Sequence, residues 1–108
     1  MSYFLVQASY TPEALAAMVQ NPTDRAPAVR ALVEKLGGAL VWFWFCLGEY
    51  DAMEIYQLPD NVGAAAFSLA VSQTGRFKAV KTTPLLTSEE ALAAMAKARE
   101  AGYRPPGT

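Results

Sequence analysis

Nine consecutive apolar residues, Ala39 to Leu47 (ALVWFWFCL), run into Gly48-Glu49 and are answered by Asp51-Ala52-Met53-Glu54-Ile55-Tyr56. Short runs rich in aromatic and aliphatic residues, broken by a glycine, read as the two strands of a β-hairpin. A strand that is apolar at every position must be covered on both faces. Helices of the same domain cover one face of a small sheet, so the second cover has to come from another subunit. The composition points the same way. A hydrophobic share of 53% against 18% charged is high for a domain of 108 residues, where a large surface relative to volume demands polar side chains. Part of the excess is expected in an interface.

The same features exclude several classes of partner. A membrane-spanning helix needs about 20 apolar residues, and the nine-residue run is less than half of that. The N-terminus reads as a strand, with no basic start and no small-residue cleavage site, so a cytoplasmic protein is expected. Nine Lys and Arg stand against ten Asp and Glu, with no block of like charge to neutralise phosphates, so nucleic acid is not an expected partner. The single cysteine, Cys46, allows no internal disulfide and fits a reducing compartment.

Along the chain, strands and helices alternate. Tyr3 to Ser9 is a strand, and Thr11-Pro12 opens a short helix that Asn21-Pro22 interrupts. A second helical segment, starting near Thr23 or Asp24 with Pro27 in its first turn, carries Ala28, Val29, Leu32, Val33 and Leu36 on one face and stops at Gly37-Gly38. The hairpin follows. Asp60 then caps an Ala-rich helix from Asn61 to about Thr74, with Phe67, Ala70 and Val71 as its packing face. Arg76 to Leu86 is the fourth strand, in which Phe77, Ala79 and Lys81 alternate with Lys78, Val80 and Thr82. Thr87 and Glu90 form a capping box for a last helix to about Ala101. Residues 1–101 make one domain and 102–108 a flexible tail.

This order predicts an α+β fold, the ferredoxin-like split βαβ arrangement: one four-stranded antiparallel sheet with helices on one face and an extra C-terminal helix. The other face is left bare. A bare apolar sheet face marks an association surface, so a homodimer or higher oligomer is expected.

Several short motifs carry a resemblance: Ser9-Tyr10-Thr11 before the first helix, Arg25, Lys35 to Gly38, the aromatic strand into Leu47-Gly48-Glu49-Tyr50-Asp51, Pro59-Asp60, and a glycine before a basic fourth strand. Together they resemble the GYD domain family, small bacterial proteins related to the dimeric α+β barrels. The resemblance implies two sheets packed face to face, with a ligand cavity between sheet and partner subunit. This chain departs from it in the sequence VWFWFC and in having no His.

The absence of His limits the chemistry. Haem and copper sites ordinarily use it, a zinc site cannot be built from one Cys and no His, and Ser-His or Cys-His nucleophiles are excluded. No metal and no cofactor are expected. Acid-base work is left to Glu, Asp, Tyr, Lys and Arg. One candidate is the acidic turn: Gly48 reverses the chain and Asp51 bonds local amides, which makes it a structural turn, or else Tyr50 and Asp51 face a ligand. The second is Glu54. With a two-residue loop, Glu49-Tyr50, Leu47 opposes Ala52, Phe45 opposes Glu54 and Phe43 opposes Tyr56, away from Trp42, Trp44, Met53 and Ile55. Gln7 and Ser9 of the first strand are then expected beside Glu54 and Tyr56, with Phe4, Val6 and Ala8 turned to the helices. Glu54 is the residue expected to contact a ligand or accept a proton; the structural alternative is a salt bridge to Lys78, Lys81 or another subunit. Arg25, at a helix start where a cation is disfavoured, needs a partner such as Asp24 or Asp51, or lies on the surface.

Two function classes follow. One is a homo-oligomeric module that binds a small, partly apolar molecule among Gln7, Phe43, Phe45, Tyr50, Asp51, Glu54 and Tyr56. The other, by analogy with barrel relatives, is a cofactor-free isomerase, cyclase or monooxygenase using Glu54 as base, with Tyr56 or Tyr50 on the oxyanion. An enzyme requires a cavity that encloses Glu54.

Overall fold

The computed structural model describes residues 1–107; Thr108, the end of the expected tail, lies outside them. The elements are β1 (Ser2–Tyr10), α1 (Pro12–Gln20), α2 (Ala26–Lys35), β2 (Ala39–Phe45), β3 (Ala52–Leu58), α3 (Asn61–Ser72), β4 (Phe77–Leu85) and α4 (Ser88–Ala101). Local chemistry sets most of their ends. Thr11 Oγ1 accepts from the Ala14 amide at 3.2 Å to cap α1, Asp60 Oδ1 accepts from Gly63 at 3.0 Å to cap α3, and Thr87 and Glu90 close a reciprocal box on α4. α2 begins at Ala26, later than the expected Thr23 or Asp24. Asp24 stays outside the helix as an Asx turn, its Oδ1 accepting from the Ala26 amide at 3.0 Å. No helix is long and apolar enough to cross a membrane among the described residues.

The strands form one antiparallel sheet in the order β2-β3-β1-β4, the ferredoxin-like order. Alternation along β1 and β3 sends Phe4, Val6 and Ala8, and Ala52, Glu54, Tyr56 and Leu58, to one face, where all are buried. Helices α1 to α3 cover that face. Val33 of α2 and Ala64 and Phe67 of α3 close the main core over Phe4, Val6, Tyr56 and Leu58. Ala14 of α1 joins Tyr10 and Ala52 in a smaller cluster. Each large apolar side chain buried here contributes about 1.5–3 kcal/mol relative to exposure.

The hairpin departs from the expected two-residue loop. Pairing ends where the Cys46 amide donates to the Asp51 carbonyl at 2.9 Å, which leaves Leu47 to Tyr50 as the loop. The register therefore slides by two: Phe45 opposes Ala52 and Phe43 opposes Glu54. A slide of two preserves facing, so Trp42 and Trp44 still share a face with Ile55 and Met53. Val41 is an extra residue between Leu40 and Trp42, so Leu40, not Phe43, opposes Tyr56. A second irregularity places Tyr10 opposite Phe77 and Ser9 opposite Ala79, with Lys78 left over. Phe77 thus turns to the helix side, its ring 4.9 Å from that of Tyr10, and does not share a face with Ala79 and Lys81 as simple alternation suggested.

No helix covers the opposite face. It carries Leu5, Gln7, Met53 and Ile55, half-buried, and at its edge Trp42 and Trp44, stacked with ring centroids 5.5 Å apart and 56% and 57% exposed. β2 is an edge strand, and even on the helix side Phe45 remains exposed, so its own helices supply less cover than the apolar run led us to expect. α4 has no buried residue. The radius of gyration is 17.5 Å, against about 13 Å for a compact domain of this length, because α4 stands off the body.

Candidate functional site

Glu54 sits between Val6 of β1 and Phe43 of β2 and is 6% exposed. Burial pushes its carboxyl up to about 7, and neither a hydrogen bond nor a cation offsets that effect. The salt bridges considered as an alternative do not form within the chain. Lys81 opposes Gln7 on the other face, and Lys78 is the exposed extra residue of β4. Tyr56, two residues on, is wholly buried with no partner for its hydroxyl; burial first, and the Glu54 charge second, raise its pKa. The rings of Phe67 and Phe4 stand 4.8 and 5.8 Å from it.

Gln7 does not join this group. It opposes Met53, whereas Val6 opposes Glu54, so Gln7 lies on the open face. The pairing offset between β1 and β3 decides this, and offset is set by the whole sheet rather than by either strand's own pattern. Ser9 is also not beside Glu54; its Oγ donates to the Glu49 carbonyl at 2.8 Å. Glu54, Tyr56, Phe43 and Phe45 do share one face, the helix side.

The acidic turn is tied to the end of β1, not to local amides. Asp51 Oδ2 accepts from the Tyr10 amide at 2.9 Å, and the Asp51 amide donates to the Ala8 carbonyl at 2.8 Å. Gly48 supplies φ 113° for the reversal, and Cys46 Sγ donates to the Tyr50 carbonyl at 3.2 Å. Ser9-Tyr10 and Glu49-Tyr50-Asp51, far apart in sequence, are thus one structure. Arg25 is brought to the same point. Burial raises the pKa of Tyr10; the Arg25 guanidinium opposes that rise, while the Glu54 and Asp51 carboxylates add to it. Tyr10 is the side chain that Arg25, Glu54 and Asp51 have in common.

Tyr10 also forms part of the floor of a cavity of about 590 Å³ on the helix side, bounded by α1, α2, α3 and the start of β4. Its walls are mostly apolar, including Met18, Leu32, Phe67 and Phe77, and Arg25 and Arg76 stand at its mouth. That volume falls in the range of small-molecule sites. Glu54 and Tyr56 do not line it; they lie behind Tyr10 and Phe67. A smaller recess, about 310 Å³, lies between α3 and β4 beside the unpartnered Thr82 hydroxyl. No group of three or more Cys, Asp or Glu side chains poised to hold a metal occurs among the described residues.

Sequence reasoning passed over Tyr10 and Arg76. Tyr10 read only as the residue between the first strand and Thr11, within a short motif, and Arg76 as the first residue of the fourth strand. The signal for Tyr10 lay in the motifs, since Ser9-Tyr10-Thr11, Arg25 and Gly48 to Asp51 converge on it. A family model described as the GYD domain matches residues 4–95, from β1 into the first half of α4. No curated protein matches the chain.

Proposed function

This chain belongs to the GYD domain family, a membership that names no reaction, and from that premise we propose that it is a self-associating cytoplasmic module that binds a small, partly apolar molecule. The observation that carries the reading is the apolar cavity of about 590 Å³ floored by Tyr10. The ligand then sits on the helix side of each subunit, not between sheet and partner. Association uses the open face, where Trp42, Trp44, Leu5, Met53 and Ile55 form a continuous apolar strip. Two such faces packed about 10 Å apart make the barrel-like dimer that the fold allows. α4, with Leu92 and Met95 exposed and nothing of its own to pack on, adds a second contact, since an isolated helix of 14 residues is marginal in water.

A second reading, a cofactor-free isomerase, cyclase or monooxygenase, is favoured by one observation: a carboxyl held near neutrality with Tyr10 and Tyr56 around it. It ranks second because a general base must come within hydrogen-bonding reach of its substrate, and Glu54 does not line the cavity.

Native mass spectrometry of the whole protein, first gently and then under denaturing conditions, tests the proposal. The expected result is a dimer or higher assembly that carries an adduct, or retains an added aromatic molecule, and loses it on denaturation. A monomer overturns the association; an assembly that never retains a small molecule overturns the binding.

A further inference from the structure

We infer that the helix-side cavity takes an organic monoanion, an apolar ring system or chain bearing one carboxylate, with the carboxylate at the mouth against Arg25 and Arg76 and the apolar body on Phe67 and Leu32. The inference rests on the binding function proposed above and specifies its ligand.

The charge distribution carries it. The chain has ten acidic and nine basic residues, yet none of the acids lines the cavity while two of the bases do, both of them arginines. Neither guanidinium is in an ion pair among the described residues. Arg stays charged at any physiological pH and presents a planar fork that matches a carboxylate. Both arginines are exposed at the rim while the interior is apolar, an arrangement that selects a molecule with one charged end and one apolar end.

The surroundings argue against a phosphate. No glycine-rich loop borders the cavity, and the start of α2 offers few free amides, because Asp24 already accepts from Ala26 and Pro27 has no N–H. A group with several oxygens and two charges would lack donors there. Glu54, behind Tyr10, opposes further negative charge. A single carboxylate needs no more than the two guanidiniums and the Tyr10 hydroxyl.

The test is calorimetric or NMR titration of the full chain, at low ionic strength, with naphthalene carboxylate and with its neutral isostere, naphthalene methanol. The carboxylate is expected to bind about ten-fold tighter, the worth of one charge-assisted contact, and to weaken with added salt while the alcohol does not. Arg25→Gln and Arg76→Gln are each expected to remove most of that preference, the carboxylate losing several-fold more affinity than the alcohol. Ala28→Trp, which fills the cavity from an exposed position on α2, should block both probes. Equal binding of the two probes, or a preference untouched by both arginine substitutions, overturns the monoanion inference but leaves the cavity as a binding site. Binding of neither probe, or binding that persists in Ala28→Trp, overturns the cavity reading and the inference with it.

Discussion

Replacing Glu54 by Gln should remove a pH dependence of stability that the wild type carries. The folded-state carboxyl titrates near 7 instead of 4.5 because burial disfavours its charge. Between those values the folded protein holds a proton that the unfolded chain has released, so stability falls as pH rises through the window. The stability is fully present below 4.5 and lost once the folded group has ionised. Linkage puts the loss from this group at about 1 kcal/mol by about pH 5 and about 3 kcal/mol by about pH 8.5, a difference of about 2–3 kcal/mol. Gln cannot titrate. Its buried amide adds a cost of its own, but that cost is equal at both pH values and cancels in the comparison. Urea unfolding of both proteins at the two pH values, at one protein concentration, should therefore give curves that diverge: the wild type loses about 2–3 kcal/mol more than Glu54→Gln on going from acid to alkaline conditions. Equal pH dependence in the two proteins would show that the carboxylate is solvated or paired in solution, not buried and unpartnered.

Five other perturbations test the frame around the site. Asp51→Ala strands the buried Tyr10 amide that the carboxylate accepts and should cost about 1–3 kcal/mol in thermal unfolding, whereas Asp51→Asn, which keeps an acceptor oxygen, should recover most of it. In Gly38→Ala the new methyl collides with the Gln57 carbonyl oxygen and the Leu58 side chain, so a loss of about 3 kcal/mol is expected. Gly48→Ala meets open space and only an unfavourable φ, so about 1 kcal/mol is expected; a reversal of that ranking in urea melts would contradict the close approach of β2 and β3. Removing the chain from Ser88 onward should lower the number of subunits per assembly in light scattering while leaving the circular dichroism of the sheet in place, and an unchanged subunit number would exclude α4 as a contact between copies.

Much of the fold was legible because it is decided locally. Thr11, Asp60 and Thr87 cap helices through bonds to amides three residues ahead, so spacing alone reveals them. The strand pattern of β3 was readable for the same reason, and with the order of elements it determined the sheet topology. Even the facing of the hairpin survived a wrong loop length, since an error of two residues leaves side chains on the same side. The start of α2 was read two or three residues early, because Asp24 bonds the Ala26 amide equally well from outside the helix.

The order and patterning of the residues are enough for the α+β class, the split βαβ order, the apolar excess that one sheet face leaves uncovered, and Glu54 as an acid placed among apolar residues. Everything that depends on the offset between strands distant in the chain comes instead from the folded sheet. The offset of β1 against β3 sends Gln7 away from Glu54; the extra residues Val41 and Lys78 turn Leu40 and Phe77 toward the helices; and the Asp51 carboxylate reaches the Tyr10 amide across 41 positions of sequence. The physical reason is that a strand's own pattern has a period of two and specifies faces, whereas register is settled by hydrogen bonds and packing summed over the whole sheet. Tyr10 becomes the centre of the candidate site only once those long-range bonds bring Arg25, Asp51 and Glu54 around it.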